Sequence, residues 1–233
     1  MLSLTPAEAE ALLLSLKVAF WSVAASLPIA VALAWLLSRR DFFGKSLLDA
    51  VVHLPLVLPP VVVGYFLLLT FGKRGPVGSL LDEYLGISFA FRWTGAALAC
   101  AVMGLPLLVR AVRQSLDAVD RGLEAAAATL GASPPWVFAT VTLPLILPGI
   151  LTGVLLSFAR SLGEFGATIT FVSNIPGETQ TLPLAIYTFT QVPGGDAQAM
   201  RLCILSILLS LAALMASEVL LRRANVRAAG RDA

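Results

Sequence analysis

Charge is what this sequence has least of. Only 13% of its 233 residues are charged, about half the share usual in a soluble domain. Hydrophobic residues make up 58% and the mean hydropathy is +0.89. Those values exclude a water-soluble globule. Cysteine is scarce too: Cys100 and Cys203 lie far apart inside apolar runs. That spacing resembles neither a disulfide framework nor a thiolate metal site, and both read as small buried apolar residues. There is a single histidine, His53, and no metalloprotease motif or nucleophile elbow, so no metal, cofactor or catalytic residue is expected. Gly44-Lys45-Ser46 superficially suggests a phosphate loop, but Arg39 stands where its first glycine would be, and the cradle of backbone donors is missing. A cleaved signal is not expected either. Glu8 and Glu10 precede the first apolar run, where basic residues belong.

What the chain does have is apolar length. A spanning helix needs about 20 predominantly apolar residues. Val18 to Leu37 carries no charge, and Ala50 to Gly72 carries only His53. Trp93 to Val109 is a third run, Leu143 to about Val172 a fourth interrupted by Arg160 and Glu164, and Leu202 to Ser217 a fifth. The fold class is an all-α membrane protein of about five transmembrane helices, with spans near 14–38, 47–71, 93–113, 143–172 and 199–221. They form one transmembrane domain, 11–222, followed by a basic tail, 223–233. Ten of the sixteen Lys and Arg residues fall on one side: Arg39, Arg40 and Lys45, then Arg110, Arg113 and Arg121, then Arg222, Arg223, Arg227 and Arg231. By the positive-inside rule that side is cytoplasmic and the N-terminus is outside. The segments 72–92 and 173–198 are then external, the first with a short amphipathic piece near Leu80 to Leu85, the second with a possible re-entrant helix at Thr181 to Gln191.

Two intramembrane features stand out. Pro55, Pro59 and Pro60 crowd the second run. Proline removes a donor and clashes with the preceding turn, so this helix must bend or open, either as a pathway-lining hinge or as a kink that shapes the bundle. His53 reads as a satisfied interfacial residue. In the fourth run Gly149 and Gly153 form a small-xxx-small pair suited to close helix packing. Ser157, Ser161, Glu164 and Thr168 follow at helical spacing, with Arg160 four residues before Glu164. A charge near the bilayer centre costs about 2.5–3.5 kcal/mol, so the stripe faces a pathway, with the ion pair as one part of it, or else the pair merely fixes helix packing. The candidate pathway-lining residues are Pro59, Pro60, Ser157, Arg160, Ser161, Glu164 and Thr168.

The cytoplasmic loop, 114–142, is the most informative segment. Arg121 to Leu130 is Ala-rich and helix-forming. Gly131 supplies a left-handed stop. Ser133 caps a second short helix with Pro134 at its first position, and Trp136 and Phe138 give it two aromatic side chains. Leu143-Pro144 ends that helix and begins span four. Such anchors suit insertion into a pocket on another protein, although an amphipathic linker has the same pattern.

Glu124-Ala-Ala-Ala-Ala-Thr-Leu-Gly131, nine residues, then Val141-Thr-Leu-Pro144 resembles the coupling loop of ABC importer permeases. In that family the loop carries Glu-Ala-Ala, three residues, Gly, nine residues and Ile-x-Leu-Pro. Gly131, Val141, Leu143 and Pro144 are in register, whereas Glu124 stands one position early and Ala125 fills the family's Glu position. Leu54 to Gly64, Arg160 to Thr168 and Val172 to Thr179 are similar to the molybdate branch, with the sulfate and tungstate branches close by. The resemblance implies a type I importer permease fold. It implies a homodimer of permeases in the bacterial inner membrane, two copies of an ATP-binding subunit docked on the loop, and an extracytoplasmic molybdate-binding protein; no nucleic acid is expected. ATP hydrolysis would then belong to the partner subunit. Glu124, Ala126, Gly131, Ser133, Pro134, Trp136, Phe138, Leu143 and Pro144 are the coupling residues it implies. The competing class is an ATP-independent channel or secondary transporter. It would share the spans but would not need the loop, and the internal repeats common in secondary transporters are not evident. A membrane-embedded enzyme would need clustered histidines or carboxylates in its spans.

Overall fold

A computed structural model of the chain describes residues 4–229, with side chains described through 213 and at 215. Every regular element among the described residues is helical. In chain order these are α1 (Pro6–Arg39), α2 (Lys45–Val57), α3 (Pro60–Phe71), α4 (Pro76–Leu85), α5 (Trp93–Asp117), α6 (Arg121–Thr129), α7 (Pro134–Val137), a π-helical turn (Phe138–Thr142), α8 (Leu143–Leu162), α9 (Gly166–Val172), α10 (Leu182–Thr190) and α11 (Asp196–Ala229). Four continuous helical stretches are long and apolar enough to cross a membrane, and α2 with α3, bent by 116° at their break, makes a fifth only where the pair counts as one span rather than a re-entrant loop.

The first helix begins earlier than its apolar run. Thr5 caps it and Glu8 closes the capping box from the third position. Glu8 is fully buried because Arg201 of α11 reaches it at 2.8 Å and 3.1 Å. At the other end α11 continues as helix to Ala229, through the first part of the segment read as a basic tail; residues 230–233 lie outside the described ones.

The second and fourth runs are not single helices. Pro59 and Pro60 divide the second at Leu58, as three prolines in six residues require. The fourth ends at Leu162 and restarts at Gly166. Here Gly163 and Phe165 leave helical geometry, and Glu164 turns its carboxylate back to accept the Ala167 amide at 2.9 Å. The freed donors at the start of α9 are thus capped from within the chain.

The helix before Pro144 does not stop there, which corrects the expected boundary. α7, the π turn and α8 run on as one stretch from Pro134 to Leu162. The Leu143 amide reaches Phe138, five residues back. A wide turn of this kind gives the proline ring room that a tight α turn denies it.

Packing is close because small residues face each other. α5 sits centrally, against α1 on one side and α8 on the other. Ala19, Ala30 and Ala34 of α1 are fully buried, as are Ala96 and Ala99 of α5. A Cβ added at Gly153 would lie 3.2 Å from the Leu108 backbone, and one at Gly149 would strike the Ser115 side chain. The small-xxx-small pair therefore does bring α8 onto α5. Between helices of equal hydropathy to lipid, such contacts and a few hydrogen bonds supply the association. Ser22 of α1 bonds Ser161 of α8 at 3.0 Å, and the Cys100 thiol donates to the Ser161 carbonyl at 3.7 Å.

Candidate transport site and coupling loop

The loop is built by three local decisions. Asp120 caps α6, accepting the Gly122 amide at 2.8 Å. Gly131 takes φ +86° and terminates it. The Gly131 amide returns to Ala128 and the Ala132 amide to Ala127, the paired closure of a left-handed helix stop. Ser133 then begins α7 with Pro134 at its first position, although its hydroxyl makes no capping bond. The aromatics diverge: Trp136 stays 63% exposed, while Phe138 is half-buried. Leu130 is 89% exposed beside Trp136. Gly131 and Ser133 line the shallow concavity between them. Ser133, Pro134, Ala126 and Pro144 are exposed and Leu143 half-buried.

Glu124 holds this loop to the membrane helices. Its carboxylate pairs with Arg39 in the last turn of α1 at 3.0 Å and accepts the Thr142 hydroxyl at 2.6 Å. In the sequence Arg39 was counted only among the basic residues of one side, and Thr142 was not singled out. Nothing in their spacing announces them, because they lie 85 and 18 residues from Glu124.

The intramembrane stripe separates into two environments. Ser157, Ser161, Glu164 and Thr168 are buried against α1 and α5. Arg160 and Glu164 pair at 2.7 Å, the arginine 31% exposed and the carboxylate 1%. Thr168 returns its hydroxyl to the Phe165 carbonyl at 2.9 Å. Pro59 is exposed and Pro60 half-buried.

The two breaks meet. Gly166, the first residue of α9, packs where an added Cβ would come within 2.9 Å of Pro60. One turn further, Gly64 of α3 lies where a Cβ would be 2.9 Å from the Ala167 Cα. The break in one span is thus seated on the break in another, with Arg160 and Glu164 just before it in the chain.

A second polar group lies nearer the start of α2 and the end of α5. His53 and Asp49 of α2 face Arg110, Arg113, Gln114 and Asp117 of α5 around a pocket of about 510 Å³. Arg113 reaches Asp49 at 3.0 Å, and the His53 Nδ1 lies 2.8 Å from the Asp49 carbonyl. His53 is satisfied, as expected. The pocket itself was not anticipated, although Asp49–His53 and Arg113–Asp117 repeat at the four-residue helical spacing that could have marked it.

Broken apolar spans, an ion pair at their junction and a capped loop tied to their ends define a polytopic membrane permease. The chain belongs to the family described as "Binding-protein-dependent transport system inner membrane component", which it matches over residues 26–226. It is 60% identical to the molybdenum transport system permease protein ModB of Escherichia coli K12 over 225 residues, covering 97% of this chain and 98% of that protein. It is 58% identical to the protein of the same name from Haemophilus influenzae, covering 93% and 94%. A bacterial alginate ABC transporter, solved with a pentasaccharide-bound periplasmic protein, has the same fold: TM-score 0.74 at 18% identity, covering 95% of this chain and 81% of that one.

Proposed function

We propose that the chain is the membrane-spanning subunit of an ABC importer that carries molybdate across the bacterial inner membrane. The observation that carries this reading is near end-to-end similarity to molybdenum permeases, joined to a loop whose left-handed stop and exposed Trp136 and Leu130 suit docking on another protein. Two copies would enclose the pathway. Two ATP-hydrolysing subunits would sit on the loops, and a molybdate-binding protein would deliver the anion from outside. The N-terminus would then be external and the C-terminus cytoplasmic, as the distribution of Lys and Arg supports.

The mechanism follows from how the loop is held. ATP binding draws the two ATPases together and moves α6 and α7 with them. Because Glu124 is tied to Arg39 and Thr142, and α7 runs without a stop into α8, that displacement is passed to α1 and α8 as rigid levers. The seated breaks at Pro59–Pro60 and Gly163–Phe165 are where the spans can swing. Of the candidate pathway-lining residues, Pro59, Pro60 and Arg160 have surface to offer a pathway, while Ser157, Ser161, Glu164 and Thr168 are buried in the helix packing. Burial and pairing of Glu164 remove a free negative charge that would repel an oxyanion.

Uptake of labelled molybdate by a strain lacking this chain, restored by its expression, tests the reading. Tungstate and sulfate serve as competitors. Preferential displacement by sulfate would reassign the substrate within the class. Uptake that persists without any co-purifying ATPase would favour a channel or secondary transporter instead.

A further inference from the structure

The pocket between α2 and α5 has no part in the loop or in the seated breaks. His53 lies eight residues into α2, and Arg110 lies seven residues before the end of α5, so both sit about 10 Å in from the cytoplasmic helix ends. Asp49, His53, Arg113 and Asp117 satisfy one another. Arg110 and Gln114 do not: both are exposed, are four residues apart on one face of α5, and make no side-chain hydrogen bond or ion pair among the described residues.

Asp117 ends α5 and Asp49 lies only four residues into α2, so the polar side chains line a mouth that opens at the helix ends, where polar groups meet water rather than lipid tails. This face of α2 and α5 is therefore wet. Behind Arg110 a single cation, Arg113, faces two carboxylates, Asp49 and Asp117, so the residual charge there is negative. One guanidinium and one carboxamide remain free to donate.

We propose that Arg110 and Gln114 form an inner holding station for a tetrahedral oxyanion at the cytoplasmic end of the transport path. This rests on the import reading above. A guanidinium offers paired N–H donors that match two oxygens of an oxyanion, and the Gln114 amide adds another. A pocket of about 510 Å³ admits the anion with part of its hydration. The residual negative charge behind Arg110 keeps the hold weak, as a station on a pathway requires, since an ion must leave as readily as it enters. The signal is distinct from the Arg160–Glu164 pair, whose cation is already engaged.

The test uses the whole transporter in inside-out membrane vesicles, in a Cys203→Ser background, with His53→Cys, which lines the pocket without being one of its two free donors, as reporter. A membrane-impermeant, negatively charged thiosulfonate should label position 53 readily. Molybdate should slow that labelling several-fold where chloride does not, and Arg110→Gln should abolish the protection while leaving the position reactive. Labelling by a lipid-soluble maleimide alone would place the face against lipid and overturn the proposal. So would labelling that molybdate does not slow, or protection that survives Arg110→Gln. Molybdate uptake by intact cells carrying the parental complex reports separately on the substrate.

Discussion

The Arg39 guanidinium meets the Glu124 carboxylate at 3.0 Å, and this contact fastens the loop helix α6 to the last turn of α1. The Thr142 hydroxyl donates to the same carboxylate oxygen at 2.6 Å, so a single side chain joins three elements. Glu124→Ala should lower stability by about 1.5–3 kcal/mol, the worth of hydrogen bonds to a charged group. It should also reduce uptake relative to ATP hydrolysis, because the loop loses its lever. Arg39→Ala combined with Glu124→Ala should be less harmful than the sum of the single changes, as a double-mutant cycle on thermal unfolding would read.

Gly131 provides a second test, one without steric confusion. A Cβ there meets nothing within 4 Å, so the cost of Gly131→Ala is the left-handed backbone alone, about 1–2 kcal/mol. Gly131→Asn should cost less, because asparagine tolerates that region. A bulky residue, Gly131→Phe, projects into the docking face. It should preserve expression while raising the ATP hydrolysed per molybdate carried. Unchanged coupling would remove the docking role from this stop.

Gly104 and Ser157 face each other across α5 and α8, and a Cβ added at Gly104 would strike the Ser157 hydroxyl. Gly104→Ala should therefore lower the unfolding temperature in detergent. Ser157→Ala alone should be mild, since that hydroxyl has no hydrogen-bond partner. The double variant should recover much of the loss, as expected of residues in direct contact.

The intramembrane ion pair is asymmetric. Removing Arg160 strands a carboxylate that is 1% exposed, whereas removing the charge of Glu164 leaves an arginine that is 31% exposed. Arg160→Met should accordingly cost about 3–5 kcal/mol, and Glu164→Gln clearly less. Equal losses in thermal unfolding would mean that the pairing matters less than the cap that Glu164 places on Ala167.

Much of this was legible along the chain. Apolar length marked the long helices, Gly131 and Pro134 marked the stop and restart of the loop, and three prolines marked the bend at Leu58. The family resemblance rested on the same short stretches, and the match over residues 26–226 agrees with it. The break at Gly163 was not legible, because a helix run and a helix with one opened turn have the same hydropathy. Nor was the continuity through Pro144: proline ordinarily ends a helix, and only the geometry of a π turn spares it.

The sequence by itself determined which segments are apolar and long enough for a membrane and where the loop turns, because hydropathy and backbone restriction act within a few residues. Only the tertiary structure decided which polar groups find one another. Arg39 and Glu124, the two seated breaks, and the pocket of His53, Arg110 and Gln114 join positions far apart in the chain. In lipid their side chains must be satisfied by whatever the packing of small residues brings near, and that packing is a property of the whole bundle.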